Sequence, residues 1–332
     1  MGIMEREVLY ANTGEGVRTA VIDVTHPAFR VTATESELAA MAEQYILEAG
    51  KQREVPEALR EALRNSTLGR ALMAASGTFV DGMTTYRLKL GPENLGEEAT
   101  PIDRRIATSF PAFTARLRLQ DMSSLLAEGL VRTLAFEQHR GVCLVNIGGG
   151  AGADSWNALI HLYGEGAGLL MGKSIAITVL DLDARGAAFG VRACEVLCAS
   201  GAPLSGLDVS FQYLSYEWSD ASRLRKVLEG LNAGEAACGI SSEGGLFEYG
   251  SDEEIVENLK ALHVGTARGA FVVGSVTREG AVVRASLIAS RVATKPRTME
   301  AFRGLCEQAG WSVERVMERP FSYHVRLVKQ IA

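Results

Sequence analysis

The residues with the clearest chemical potential are a short glycine loop and an acid that follows it. VNIGGGAGADS (145–155) carries Gly148, Gly149, Gly150 and Gly152 directly after an apolar run. Glycines at such a turn let a ligand approach the main chain and tolerate unusual dihedrals. Asp181 lies in ITVLDLD (177–183), where a carboxylate at a strand's carboxyl end can accept hydrogen bonds from both hydroxyls of a ribose. The pair points to a nucleotide-type cofactor. Gly152 and Asp181 are 29 residues apart, whereas the dinucleotide fingerprint separates its glycines from its acid by about 20. A third group, ISSEGGLFEYGSDEE (240–254), offers Ser241, Glu243, Phe247 and Tyr249. Glu243 could act as a general base towards a hydroxyl or amine. Equally, these acids could cap the following helix in solvent.

Such groups need rigid elements beneath them, and the chain supplies these after His139. Strand-length apolar runs at 142–147, 175–183, 208–214, 235–241 and 269–276 alternate with amphipathic segments. That alternation predicts a parallel sheet covered on both faces by helices. A last helix, TMEAFRGLCEQAG, leads into WSVERVME and SYHVRLVKQ, two extended segments joined at Arg319-Pro320. They predict an antiparallel pair closing the sheet, which a dinucleotide-binding fold does not ordinarily have. The expected architecture is α/β: a Rossmann-like doubly wound sheet with an antiparallel last strand, preceded by a mainly helical N-terminal domain.

Residues 1–139 read as that N-terminal domain and 140–332 as the catalytic one. TAVIDV (19–24) reads as a strand ended by His26-Pro27, and TYRLKL (85–90) alternates like another. Helices are expected from TESELAAMAEQYILEAG, with Thr34 and Glu37 in capping-box spacing and a stop at Gly50. VPEALREALRNS, LGRALMAAS and 102–136, broken near Pro111, supply the rest. This region is expected to act as a lid or substrate-selecting layer over the sheet edge, or as a homodimer interface. His26 and Tyr86 flank its loops and could face a substrate.

With these residues in view, about 140–332 resembles the class I S-adenosylmethionine-dependent methyltransferases. The resemblance rests on NIGGGAGADS as the cofactor loop, VLDLD as the ribose-binding strand end and the terminal helix–strand–strand unit. It implies that Gly148, Gly150 and Gly152, with Gly149 among them, line the methionine and ribose portions of S-adenosyl-L-methionine. It further implies that Asp181 holds the ribose, with Leu182, Ser215, Tyr216 and Ser241 as further cofactor contacts. Glu243 and Tyr249 become the catalytic candidates at the methyl-transfer pocket, and Trp218 beside Tyr216 could stack on adenine. Two positions depart from the family pattern: Asn146 stands where an acid often precedes the loop, and the third strand is followed by Leu214-Ser215-Tyr216-Glu217 with its acid displaced. The implied activity is methyl transfer to O, N or C of a small molecule. The alternatives are a nicotinamide-dependent oxidoreductase and a non-catalytic protein that binds S-adenosylmethionine.

Composition narrows the partners. A net charge of −6 on 332 residues disfavours nucleic acid. The sequence contains no apolar run of about 18 residues and no signal-peptide core, so a cytoplasmic protein without a membrane partner is expected. The five cysteines sit in apolar surroundings and read as reduced buried thiols. No metal site is expected, because His161, His263 and His324 are scattered without ligand spacing, and each reads as structural. His324 falls in the last strand, away from the usual active edge. Gly172-Lys173-Ser174 precedes a strand rather than opening a helix, so it is no phosphate loop.

Overall fold

The computed structural model describes residues 7–330 apart from residues 15, 50, 52–55, 76, 137, 138, 140, 232, 234 and 291, and apart from the side chains of 136, 165–167, 289 and 290. Gly50, the expected helix stop, and residue 140, the expected domain boundary, lie outside the described residues.

The chain opens with a small hairpin, β1 (Tyr10–Asn12) and β2 (Arg18–Ala20); of the strand expected at 19–24 only the start is ladder-paired, and the chain turns from Val24. Six α-helices follow among the described residues: α1 (Glu35–Ala49), α2 (Glu57–Arg64), α3 (Thr67–Ala74), α4 (Gly82–Lys89), α5 (Pro101–Thr108) and α6 (Phe110–Phe136). The expected capping box starts α1, with Glu37 accepting from the Thr34 amide at 2.7 Å and Thr34 Oγ1 accepting from the Glu37 amide at 3.3 Å. Ser109 separates α5 from α6, next to the expected break. The strand expected at 85–90 is instead helix α4. Asp81 caps it, accepting from the amide and hydroxyl of Thr84 at 3.0 and 2.6 Å, and Met83, Tyr86 and Leu90 recur on one helical face in the core. Six alternating residues are too few to distinguish the two periods.

From Gly141 onward strands and helices alternate: β3 (Gly141–Ile147), α7 (Ala153–Gly166), β4 (Ser174–Asp181), α8 (Ala184–Cys198), β5 (Asp208–Ser215), α9 (Ala221–Gly230), β6 (Ala237–Ser242), the one-turn α10 (Leu246–Tyr249), α11 (Asp252–Gly265), β7 (Phe271–Thr277), α12 (Ala281–Ser290), α13 (Met299–Gln308), β8 (Trp311–Glu318) and β9 (Ser322–Lys329). The sheet order is β5-β4-β3-β6-β7-β9-β8. β3 to β7 are parallel, and β9 runs antiparallel to both β7 and β8, as expected from the two terminal extended segments.

Alternate residues of β3 serve two cores. Val142 and Leu144 join the one that holds Trp156, Phe189 and Phe271, while Cys143, Val145 and Ile147 join the one that holds Leu224, Leu259 and Trp311. The first core also contains Val21, Ile22, Tyr86 and Leu119, so the N-terminal helical region and the sheet bury apolar surface in common. α6 lies directly on the sheet, and Gly129 makes that possible: a Cβ there would meet the Phe271 ring at 2.2 Å. No helix among the described residues is long and apolar enough to cross a membrane.

Candidate active site

The glycine loop leaves β3 with positive φ at Gly148 (66°), Gly150 (53°) and Gly152 (72°), values that side-chain-bearing residues rarely adopt. The Gly148 amide donates to Leu180 O at 2.7 Å, pinning the loop to the neighbouring strand. Asp181 ends that strand. Its Oδ2 accepts from the Gly150 amide at 2.9 Å and its Oδ1 from the Asp183 amide at 2.9 Å. Burial raises its pKa, against these amide hydrogen bonds that lower it. The Leu182 main chain also hydrogen-bonds the carboxylate. The carboxylate lines the adjoining cleft.

That cleft has a volume of about 220 Å³. Gly148, Gly149, Gly150, Asp181, Leu182, Tyr216, Glu243 and Tyr249 all line it, so most of the residues singled out in the sequence converge. Leu182 is 52% exposed beside the acid, an apolar surface at the mouth. Tyr216 is held by its hydroxyl, which donates to Asn258 Oδ1 at 2.6 Å. Trp218 lies over Gly148, where a Cβ would come within 3.2 Å of its ring, and Glu217 stands beside it on the wall.

Three expected contacts stand off the wall, and Phe247 turns inward. Gly152 packs beneath the loop against Val179 and Phe211. Ser215, paired in register with Asp181, faces solvent. Ser241 is buried and donates to Asp154 Oδ2. The Phe247 ring meets Phe302 edge-on at 5.1 Å in the core. His26 is not on the wall, whereas Tyr86 is.

The sequence reading missed most of the N-terminal wall, namely Phe79, Val80, Gly82, Thr85 and Lys89 on and before α4. Gly82 is pressed against the loop: a Cβ there would stand 2.7 Å from Gly150 Cα. This approach narrows the cleft below the roughly 300–1,000 Å³ usual for small-molecule sites. The available signal was Asp81 as a helix cap directly before a glycine.

Two buried polar clusters support the floor. Lys89 and Arg118 both pair with Glu243, and Arg118 also reaches Glu248 at 3.0 Å. Ser275 Oγ donates to Glu248 at 2.7 Å and accepts from the Gly244 amide at 3.0 Å. Burial would raise the pKa of Glu243, but Lys89 and Arg118 hold it below the usual value. Glu243 therefore carries a fixed negative charge and has little tendency to collect a proton. In the second cluster Asn146 Nδ2 donates to Asp154 Oδ1 at 2.6 Å and Ser155 Oγ to Asn146 Oδ1 at 2.8 Å. Burial, with the charge of Glu243 added, pushes Asp154 up to about 6.

No protein-family model matches the sequence, and no curated protein matches it either. Solved structures do resemble it. A possible exported protein from Bordetella parapertussis superposes with a TM-score of 0.58 at 17% identity, covering 91% of this chain and 98% of its own. Magnesium protoporphyrin IX methyltransferase from Synechocystis gives a TM-score of 0.44 at 14% identity, covering 67% of this chain and 89% of its own. Mitomycin 7-O-methyltransferase gives 0.41 at 15% identity, covering 80% and 70%. The sheet order, the antiparallel β9 and the loop between β3 and α7 define a Rossmann-like doubly wound fold with an antiparallel last strand.

Proposed function

We propose that the protein transfers a methyl group from S-adenosyl-L-methionine to a small-molecule acceptor. The observation that carries this reading is Asp181, a carboxylate held by main-chain amides at the end of β4 and lining the same cleft as the glycine loop, where a ribose diol could donate to it. The other residues fit the same group. Gly148, Gly149 and Gly150 offer bare main chain to its amino-acid portion, and Leu182 with Trp218 offers apolar faces to adenine. When bound, the cofactor supplies an electrophilic methyl group on a sulfonium. Glu243, paired with Lys89 and Arg118, forms part of the cleft floor, and Tyr249 borders the cleft beside Phe79. Such a site works mainly by alignment and exclusion of water. The antiparallel β9 speaks against the nicotinamide alternative.

Calorimetric titration with S-adenosylmethionine, S-adenosylhomocysteine and NAD tests the reading. The first two are expected to bind and NAD to be silent. Asp181→Ala should weaken binding about 10- to 100-fold, the worth of a hydrogen bond to a charged group at about 1.5–3 kcal/mol. Silence of both sulfur compounds, or preference for NAD, would reject the proposal. Turnover with any acceptor would exclude a purely binding role.

A further inference from the structure

A second chamber of about 580 Å³ adjoins the cleft and shares Val80 and Tyr249 with it. The two residues touch, because the Val80 main chain hydrogen-bonds the Tyr249 hydroxyl. The chamber's walls are largely apolar, from Leu63, Leu72, Ile106, Ala112, Leu287 and Phe321. Tyr45 meets Phe321 edge-on at 5.7 Å along one side. This size suits a small organic molecule, and aromatic walls favour a flat one.

One end of the chamber is polar and ordered as a relay. Ser322 Oγ and His324 Nε2 are 2.9 Å apart, and His324 Nδ1 is 2.8 Å from Asp121 Oδ2. Arg319 grips both oxygens of Asp121 at 2.7 and 3.1 Å. Ser322 and His324, two apart on β9, point to one face; Asp121 meets them from α6, and both β9 residues line the chamber. With Nδ1–H donated to the carboxylate, Nε2 is left as the acceptor of the Ser322 hydroxyl. The charged and polar groups around the ring are Asp121 and Arg118 from α6, Arg319 from the turn before β9, and Ser275, paired with His324 on β7. Burial lowers the His324 pKa against the pull of Asp121, so the imidazole is neutral at neutral pH and its Nε2 lone pair is open to the Ser322 hydroxyl.

We infer that this chamber binds the acceptor, a flat, mainly apolar molecule with a weakly acidic hydroxyl, and that Ser322, His324 and Asp121 take the proton from that hydroxyl. The O–H bond breaks and its electron pair stays on the acceptor oxygen. Ser322 receives the proton as it passes its own to His324 Nε2, and Asp121 balances the imidazolium. The nucleophile that methyl transfer needs is thereby formed. The chamber and relay stand on their own geometry, but the word acceptor rests on the methyltransferase reading.

The test uses 4-nitrophenol, whose absorbance distinguishes phenol from phenolate, added to the full chain at a pH below its own pKa. Binding with growth of the phenolate band is expected. His324→Gln should bind the probe while leaving it protonated. Ala112→Phe, which fills the chamber, should weaken binding at least about tenfold, about 1.4 kcal/mol. S-adenosylmethionine binding by both variants serves as the check that they fold and that the cleft is intact. Failure of the wild type to bind, an undiminished phenolate band in His324→Gln, or unchanged affinity in Ala112→Phe would each overturn the inference. Probe binding without cofactor binding would instead overturn the methyltransferase reading alone.

Discussion

Asn146 and Asp154 occupy the ground beneath the glycine loop, where the sequence resemblance implies an acid before the glycines. Here the acid sits eight positions later on α7, and the amide of Asn146 donates to it. An aspartate at 146 would set two carboxylates in contact in a fully buried place, which is costly. Asp154 has a measurable signature. Its pKa rises from 3.8 to about 6 on folding, so the native state keeps a proton that the unfolded chain has lost. Stability from this group is therefore full below about pH 4 and is lost as pH rises through about 6, by at most about 3 kcal/mol. Asp154→Asn keeps the shape and should remove that slope. Denaturant titrations of both proteins across the interval decide it, and parallel curves would refute the assignment.

Helix α4 shows how one element shapes the site from outside the sheet. Its first residue is a glycine because Gly150 lies directly against it. Gly82→Val must push the start of α4 away from the loop, at a cost of about 1–3 kcal/mol for overpacking. The expected outcome is a lower melting temperature and faster amide exchange over 79–90, with β6 and β7 unaffected. Unchanged exchange in α4 would show that the loop yields instead. Helix α6 works at longer range. Arg118 and Asp121, three apart and so on one face, reach the cleft cluster and the chamber relay respectively.

At the scale of the molecule, the N-terminal segment is fastened to the sheet through α7. Trp156 Nε1 and Asn157 Nδ2 both donate to Ile22 O, at 2.9 and 3.0 Å, and Asn157 Oδ1 accepts from the Val24 amide at 2.8 Å. Tyr86 joins them, donating to Ala20 O and accepting from the Ile22 amide. Asn157→Ala leaves the Val24 amide buried without a partner, which costs about 1–3 kcal/mol. Its effect should appear in the global melting temperature, because the segment shares the core of the sheet. Loss of exchange protection confined to 21–24, with no change in melting temperature, would show that the segment opens independently.

The alternation of strands and helices after Gly141, the glycine loop, Asp181 and the antiparallel end were legible in the residues themselves, because strand period, helix period and turn chemistry are local properties. The same local rules misread 85–90, where a short alternating run is compatible with either period. They also could not show that Gly152, Ser215 and Ser241 stand off the cleft wall. Which side of a loop faces a ligand depends on what packs behind it, here Val179, Phe211 and Asp154. Only the tertiary structure decided that Glu243 is pinned between Lys89 and Arg118, 154 and 125 residues away in sequence. Only it brought His324, read from its strand position as structural, beside Asp121 at the end of a chamber. The charge and basicity of a buried group are set by neighbours distant in the chain, which no spacing within a motif records.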